Sequence, residues 1–397
     1  MGVPDIVDNV FEALNLLSPL PVEPFPSAYP LTFDTSNASF NSCENTTSGD
    51  PTTKDMCGAV VDLTGNPANP VYAGHNDSLM LYVGSMAKLF AMYVAFELKL
   101  RVEMQAKKMI AQKLVSTSTS GWEKNVFDAL KKAWKPKLDG MFPSLPSGMP
   151  DFANIVSLST AGDASFQTKL TPNQIDTVKD GTPQGSFGDW MKSMMRWSNN
   201  NAAAKCISAI SYPYINGVLG SAGFFTSGNG LWVSGNYGGN DWLGGPGNKA
   251  GQNLDPHFAT AQGRAKSNFT GTALQVARLL TLMAQGRLVD SSASSDMIDT
   301  MSNGILDPST GQSGDNCFIK MMLDAATPPR PYKSFHTKIG IGKGDGFRHD
   351  SGILEVDRGA SPTLRFIEVI LGSPPANTAG FFTLTVGYYD CLVAQHP

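Results

Sequence analysis

The most continuous apolar pattern of the chain lies over residues 85–100, where hydrophobic side chains fall on every face of a helix. A helix without a polar face must be buried on all sides, so we predict a central helix here. Residues 79–83 alternate weakly and end at Gly84, which is typical of an extended segment that leads into a helix. We expect the rest of the fold to surround this helix.

Alternating or β-branched runs at both ends of the chain predict strands. Two of them, 58–63 and 71–74, precede the central helix and form a hairpin. Further strands and a last helix are predicted near the C-terminus, over 334–341, 350–356, 364–371 and 381–394. Because helices occupy the middle of the chain, we expect an α+β fold whose antiparallel sheet is built from both chain ends.

Helical patterns recur between these ends. They lie at 6–17, 104–115, 122–134, 190–197, 202–206 and 270–280. The residues from 134 to 188 are rich in proline, glycine and serine and predict loops, as does the Gly/Trp/Asn-rich stretch 224–252. A loop of that length is expected to have a functional role or to be disordered.

The domain boundaries follow from this order of elements. Residues 1–54 are expected to form an N-terminal helix and a connector. Residues 55–84 and 254–397 form the sheet subdomain, and residues 85–253 form an α-helical subdomain. The helical subdomain includes an enlarged segment, 101–190, whose role the sequence leaves open.

Composition limits the classes of function. Of the 397 residues, 41% are hydrophobic and 16% are charged, and the net charge of −4 comes without a basic block. A nucleic-acid partner is therefore not expected. No window approaches the length of apolar sequence that crosses a bilayer, so we expect no membrane span. The N-terminus lacks the cationic start and apolar run of a signal peptide.

Cysteine and histidine usage suggests no metal site. The five cysteines contain no Cys-x-x-Cys, and the five histidines are scattered, so no metal or other cofactor is expected. Cys43 and Cys57 flank a polar loop and are candidates for a disulfide, with free thiols as the equal alternative. No Gly-x-Ser-x-Gly sequence is present, which disfavours an α/β-hydrolase triad.

Ser85 and Lys88 are the candidate chemistry of the central helix. They lie three residues apart at its start, so both side chains share one face. A buried lysine is costly unless it has partners or loses its proton, and a neutral amine beside a serine hydroxyl activates a nucleophile. The alternative is a helix-capping serine and a lysine that reaches solvent.

Two further motifs follow in the chain, Ser198-Asn199-Asn200 and Lys338-Ile339-Gly340. With Ser85-x-x-Lys88 they resemble, in order, the Ser-x-x-Lys, Ser-x-Asn and Lys-Thr/Ser-Gly signatures of the penicillin-binding-protein and serine β-lactamase superfamily. The alanine run after Asn200 is similar to class A β-lactamases. The resemblance covers about residues 56–395 apart from 101–190, and it implies the β-lactamase/transpeptidase-like fold.

The resemblance implies a role for each matching position. Ser85 attacks an acyl carbonyl, Lys88 accepts its proton, and Ser198 passes a proton to the leaving group beside Lys338. Asn200 binds the substrate amide and braces Lys88. The backbone N–H groups of Ser85 and Ile341, next to Gly340, form the oxyanion hole. Taken singly, Lys338 is also explained as a solvated strand residue and Asn200 as a helix cap.

Two departures from the family pattern affect the expected substrate. Ile339 replaces a hydroxyl that helps to bind a substrate carboxylate, with Arg348 or Lys343 as candidate replacements or as solvated loop charges. No glutamate occurs between Glu123 and Glu355, although class A enzymes deacylate with one. The corresponding loop offers only Asp241, a candidate for activating water or a turn residue.

The implied function is a serine hydrolase that acts on a small-molecule or peptide-like ester or amide, with weak or no activity on β-lactams. An efficient β-lactamase or DD-peptidase is the first alternative, a non-catalytic sensor that is acylated at most once is the second, and an acyltransferase is the third. Trp232, Tyr237 and Trp242 are expected either to line the cleft or to hold their loop against the body. The resemblance implies a periplasmic or secreted protein.

Overall fold

The computed structural model describes residues 21–37, 40, 50–141, 148–171, 185–226, 229–233, 269–301, 317–341, 346–359 and 361–396. The helices, in chain order, are α1 (Ala87–Ala111), α2 (Trp122–Met141), α3 (Phe152–Ile155), α4 (Phe187–Arg196), α5 (Asn200–Ile210), α6 (Tyr212–Ser221), α7 (Ala273–Ala284), α8 (Ser291–Thr300), α9 (Phe318–Ala325) and α10 (Thr378–Gln395). The predicted helix over 6–17 lies outside the described residues.

The strands are short in the middle of the chain and long at its C-terminal end. In chain order they are β1 (Cys57–Asp62), β2 (Val71–His75), β3 (Leu81–Tyr82), β4 (Val156–Leu158), β5 (Ala164–Phe166), β6 (Phe225–Thr226), β7 (Asn229–Gly230), β8 (Trp232–Val233), β9 (Phe269–Gly271), β10 (Ser334–Thr337), β11 (Gly340–Ile341), β12 (Arg348–Arg358) and β13 (Ser361–Ser373).

The main sheet combines both ends of the chain, as predicted. Its order is β10-β12-β13-β1-β2, with β11 paired to β12. All of these pairs are antiparallel, and β1 lies between its hairpin partner β2 and the distant strand β13. The chain therefore has the α+β architecture that the sequence indicates.

Alternation along the sheet strands creates two cores, one on each face. On β13, Ile367 and Val369 face the cluster formed with α1 and α7, whereas Phe366 and Ile370 face the cluster formed with α9 and α10. This is the period of two that places successive side chains on opposite faces. The first cluster is the side on which the three motifs meet.

The central helix α1 is buried on all sides over its first half, as its apolar pattern predicts. It begins after a 3₁₀ turn, Gly84–Met86, and runs unbroken for 25 residues to Ala111. The sequence suggested a separate lysine-rich helix from residue 104, which is wrong. Lys107 continues α1 and pairs with Glu103 one turn earlier at 2.6 Å, so these charges lie on its more exposed half.

The segment 101–190 is partly helical and contains a hairpin that the sequence did not predict. It holds the end of α1, then α2 and α3, and the antiparallel pair β4–β5. Helix α2 extends past the predicted end at Trp134 and contains Pro136. Three-residue strands carry too little alternation to be recognised, which explains why this hairpin was assigned to loops.

The cysteines do not form the disulfide considered from the sequence. Cys57 is a free, fully buried thiol in β1, so it is not paired with Cys43. Cys391 in α10 is disulfide-bonded. Burial raises the pKa of the Cys57 thiol to about 12, so it stays protonated and unreactive. Among the helices that the structure describes, none is long and apolar enough to cross a membrane.

Glu368 is a buried carboxyl on the face of the sheet that α10 covers. Neither of its buried carboxyl oxygens has a hydrogen bond of ordinary geometry within the described parts of the chain, although the Thr385 hydroxyl of α10 is close enough to lower its pKa in part. Burial raises its pKa well above the usual range, and the nearby charge of Asp350 adds to this shift. A carboxyl in such a position holds its proton at neutral pH.

We expect Glu368→Gln to stabilise the protein in a pH-dependent way. Because the folded pKa lies above the unfolded one, this carboxyl costs increasing stability as pH rises from the unfolded pKa toward the folded one. The amide has no such titration, so the free energy of unfolding should rise by roughly 1–3 kcal/mol at pH 8 and change little at pH 4.5. Urea unfolding at both pH values measures this. A loss of stability at pH 8 would contradict it.

Candidate active site

The proposed nucleophile, Ser85, lies half-buried in the 3₁₀ turn Gly84–Met86 that precedes α1. The turn is fixed from both sides. On one side, the N–H of Val83 donates to the carbonyl of Phe269 at 2.9 Å, and on the other the N–H of Met86 donates to Val83 at 3.1 Å. Gly84 has φ +53°, a left-handed conformation that favours glycine.

Lys88, the second residue of α1, is fully buried and contacts the Ser-x-Asn motif directly. Its Nζ donates to Asn200 Oδ1 at 2.8 Å, lies 3.0 Å from Ser198 Oγ, and donates to the Ser198 carbonyl. Burial lowers the pKa of Lys88 well below the usual range, and the charge of Lys338 adds to this shift. The lysine is therefore suited to be a neutral proton acceptor.

Ser198 lies in the short connection between α4 and α5. It has φ +52°, which is strained for a residue with a Cβ atom. Asn199, the next residue, caps α5 by accepting a hydrogen bond from the N–H of Ala202 at 2.9 Å. The cap and the left-handed residue together turn the Ser198 hydroxyl toward the start of α1.

Lys338 approaches the same hydroxyl from the sheet. Its Nζ lies 3.0 Å from Ser198 Oγ and donates to the carbonyl of Ile339 at 3.0 Å. Burial lowers the pKa of Lys338 to about 7, and the charge of Asp350 opposes that shift. Two buried amines thus contact one serine hydroxyl, although the three residues are far apart in sequence.

The backbone around Ser85 and β11 is close-packed, with no room for added atoms. A Cβ atom on Gly340 would lie 2.1 Å from the Val83 carbonyl oxygen, and one on Gly84 would lie 2.6 Å from the carbonyl oxygen of Ile341. The Ser85 turn and β11 therefore meet backbone to backbone. This contact brings Ser85 and Ile341 next to each other, as an oxyanion hole made of their N–H groups requires.

We expect Gly340→Ala to separate these two backbones. The added methyl group clashes with a carbonyl oxygen that cannot rotate away, so β11 must shift relative to the Ser85 turn. Removal of one oxyanion donor typically costs about 10²–10³ in rate, and we predict a loss of that size in acylation. The control is Gly220→Ala, where the new Cβ atom has open space. Equal acylation rates for the two variants would contradict this.

Comparison with known proteins identifies the family. The model of the β-lactamase enzyme family matches residues 153–363, which is more than half of the chain. The chain belongs to the β-lactamase enzyme family. This result confirms the superfamily suggested by the three motifs. The match includes Ser198 and Lys338 and begins after Ser85.

Solved β-lactamase structures are similar to this chain at low identity. A β-lactamase from Sphaerobacter thermophilus is 13% identical, with a TM-score of 0.45 and coverage of 91% of this chain and 97% of that chain. A class A β-lactamase from Mycobacterium abscessus is 13% identical, with a TM-score of 0.45 and coverage of 90% of this chain and 98% of that chain. A β-lactamase from Xanthomonas campestris is 15% identical, with a TM-score of 0.41 and coverage of 89% of this chain and 94% of that chain. The comparison with curated proteins gives no match.

The third signature has Ile339 where the family has a threonine or serine, and the structure shows where this side chain lies. Ile339 is 4% exposed and belongs to the core cluster of α9 and α10, so an apolar side chain occupies the position of the family's hydroxyl. Arg348 pairs with Ile341 across β11–β12 and its guanidinium lies 5.2 Å from the ring centre of Phe318. Its part in carboxylate binding stays a prediction.

Several candidates lie outside the described residues, namely Asp241, Lys343, Tyr237 and Trp242. Trp232 is described. It is 6% exposed in β8, and its ring lies 4.9 Å from that of Phe225. This arrangement favours the packing role for Trp232 over the alternative of a cleft-lining side chain.

One buried acid near the site was missed from the sequence. Asp350 is fully buried in β12, and its carboxyl accepts hydrogen bonds from the N–H groups of Ile319 at 2.9 Å and Ser351 at 2.8 Å, and from the Thr337 hydroxyl. The signal available was a polar run, His349-Asp350-Ser351, shortly before the apolar residues Ile353 and Leu354 of a strand in the middle of the sheet.

Proposed function

We propose that this member of the β-lactamase family is a serine hydrolase that acylates Ser85 and hydrolyses an ester or a flexible amide. The observation that carries the proposal is the contact of both Lys88 and Lys338 with the Ser198 hydroxyl beside the Ser85 turn. Burial of two lysines, one at the start of α1 and one in the sheet, is costly, so their convergence on Ser198 favours a catalytic role over a structural one.

In acylation, Ser85 Oγ forms a bond to the substrate carbonyl carbon while its proton passes to the neutral amine of Lys88. The negative charge on the carbonyl oxygen is stabilised by the N–H groups of Ser85 and Ile341. When the bond to the leaving group breaks, that group takes the Ser198 hydroxyl proton, and Lys338 returns a proton to Ser198. Water then attacks the Ser85 ester, with the proton transfers reversed.

The absence of glutamate between Glu123 and Glu355 supports a limit on the substrate. In a β-lactam the leaving nitrogen stays tethered to the acyl group and covers the site. Without a dedicated base for water, that acyl-enzyme is expected to be long-lived. The leaving group of an ester or an open amide diffuses away, so water reaches the ester carbon and turnover continues.

Stopped-flow hydrolysis of p-nitrophenyl acetate tests the proposal. We expect a burst of about one nitrophenolate per protein and then steady release, both absent in Ser85→Ala. The control is Ser78→Ala, because the exposed Ser78 hydroxyl bonds only Asp77 among the described contacts. Equal rates for Ser85→Ala and the wild type would refute the proposal. A burst without later turnover would favour the sensor alternative, and products formed on added alcohols would favour an acyltransferase.

A further inference from the structure

Asp350 lies on the opposite face of the sheet from the cleft, directly behind Lys338. Thr337 donates its hydroxyl to Asp350, and Ile339 faces the same cluster of α9 and α10. Lys338 stands between Thr337 and Ile339, so its side chain points to the other face, toward Ser198. The Lys338 N–H and the Ser351 carbonyl, next to Asp350, are joined at 2.9 Å.

A neutral lysine gives the Ser198 hydroxyl hydrogen an acceptor within the site. The Ser198 hydroxyl has one hydrogen, and both amines lie 3.0 Å from its oxygen. If both lysines were charged, each would donate to this oxygen, and the hydroxyl hydrogen of the partly exposed Ser198 would turn to solvent. A neutral amine offers a lone pair to that hydrogen.

Either lysine can be the neutral one that accepts the Ser198 hydroxyl hydrogen. A neutral Lys88 accepts from Ser198 and donates its two N–H groups to the Ser198 carbonyl and Asn200 Oδ1. A neutral Lys338 accepts from Ser198 and donates to the Ile339 carbonyl. Hydrogen bonding therefore leaves the choice between the lysines open, and the surrounding charges decide it.

The charges around the two lysines differ. The negative charge of Asp350 raises the pKa of Lys338, against the effect of burial, whereas burial and the charge of Lys338 both lower the pKa of Lys88. Three donors hold Asp350 in its charged form, although burial raises its pKa to about 6. Above that pH the negative charge of Asp350 acts on Lys338 and not on Lys88.

We propose that Asp350 is a positioning residue that makes Lys338 the charged lysine and leaves Lys88 as the neutral proton acceptor. Asp350 touches no reacting atom, and its effect on the reaction passes through Lys338. The assignment of catalytic roles rests on the proposed function, but the assignment of charge does not.

The other titratable groups around Asp350 supply no competing negative charge. The Glu368 carboxyl and the Cys317 thiol are buried with raised pKa values, so both keep their protons. His349 accepts from the Gly372 N–H at its Nδ1 and is therefore neutral. The Tyr388 phenol of α10 and the Arg348 guanidinium over Phe318 also lie on this side, and the variants below leave both unchanged.

NMR titration of protein labelled with ¹³Cε-lysine tests the charge assignment without relying on activity. Lys88→Met and Lys338→Arg assign the two signals. We expect Lys338 to titrate at a higher pH than Lys88, and Asp350→Asn to lower the pKa of Lys338 by about one unit or more. Glu368→Gln is the matched control, because it changes a neighbouring carboxyl that is already neutral. It should leave both lysines unchanged.

Two outcomes would overturn the inference: an unchanged Lys338 pKa in Asp350→Asn, or a higher pKa for Lys88 than for Lys338 in the wild type. If Asp350→Asn fails to fold, Thr337→Val replaces it. That variant removes the hydroxyl donor to Asp350 and should lower the Lys338 pKa by a smaller amount than Asp350→Asn does.

The pH profile of acylation separates this inference from the proposed function. On a peptide-like anilide, whose leaving group needs a proton, acylation should rise as Lys88 loses its proton and fall as Lys338 loses its own, so Asp350→Asn should move the alkaline limb to lower pH. A merely structural residue would lower the whole profile without moving that limb. If the wild type is not acylated at any pH, the proposed function fails, while the NMR titration still decides the charge assignment.

Discussion

Replacement of Lys88 by methionine is expected to lower the rate of Ser85 acylation by about 10²–10⁴, the usual contribution of a positioned base. Methionine fills similar space in the fully buried site, but its thioether sulfur is not basic enough to take the Ser85 proton. Single-turnover release of nitrophenolate from p-nitrophenyl acetate measures the change.

The matched control for this variant is Lys108→Met. Lys108 is also buried in α1, at 4% exposure, and lies about 30 Å further along the same helix. Both variants remove a buried amine, so both are expected to alter stability, but only Lys88→Met should lose acylation. Less than a tenfold loss in folded Lys88→Met would show that Lys88 is not the base.

Removal of the Ser198 hydroxyl is expected to harm amide substrates far more than activated esters. Ser198 is proposed to give its proton to the leaving group, and nitrophenolate leaves without one whereas an amine cannot. We therefore predict that Ser198→Ala loses about 10²-fold or more on a peptide-like anilide and substantially less on p-nitrophenyl acetate. The ratio of kcat/KM for the two substrates measures this. Equal losses would exclude Ser198 as the proton donor.

Ser198→Gly separates the hydroxyl from the backbone. Because residue 198 has φ +52°, glycine relieves a strain that alanine retains. Ser198→Gly should be about 1 kcal/mol more stable than Ser198→Ala. Both lack the hydroxyl, so both should show the same loss on the anilide. Rescue of activity by glycine alone would mean that the loop conformation matters and the hydroxyl does not.

The sequence predicted the parts of the fold that carry a strong period. The apolar surface of α1, the hairpin β1–β2 and the strands β12 and β13 were all recognised, and the sheet joins the chain ends as expected. The lysine-rich end of α1 was assigned to a second helix because polar content rose there, although no breaker residue separates the two runs. The strands β4 and β5 are too short for alternation to be visible.

The sequence predicted the three motifs of the candidate site but not the contacts between them. The spacing of Ser85 and Lys88 indicated one helix face, and the structure adds the contacts of Lys88 with Ser198 and Asn200. No local pattern reveals that Asp350 stands behind Lys338, because their relation depends on the register of β10, β11 and β12. Charges that act across a sheet need the tertiary structure.

The most direct test of the account is intact-protein mass spectrometry after incubation with a penicillin, with Ser85→Ala alongside and ring-opened product followed in solution. The account predicts a persistent adduct of one penicillin on the wild type, located on the peptide that contains Ser85, and none on the variant. An adduct of the same mass on Ser85→Ala would contradict Ser85 as the nucleophile. Rapid ring opening without a persistent adduct would contradict the proposed slow deacylation and show an efficient β-lactamase.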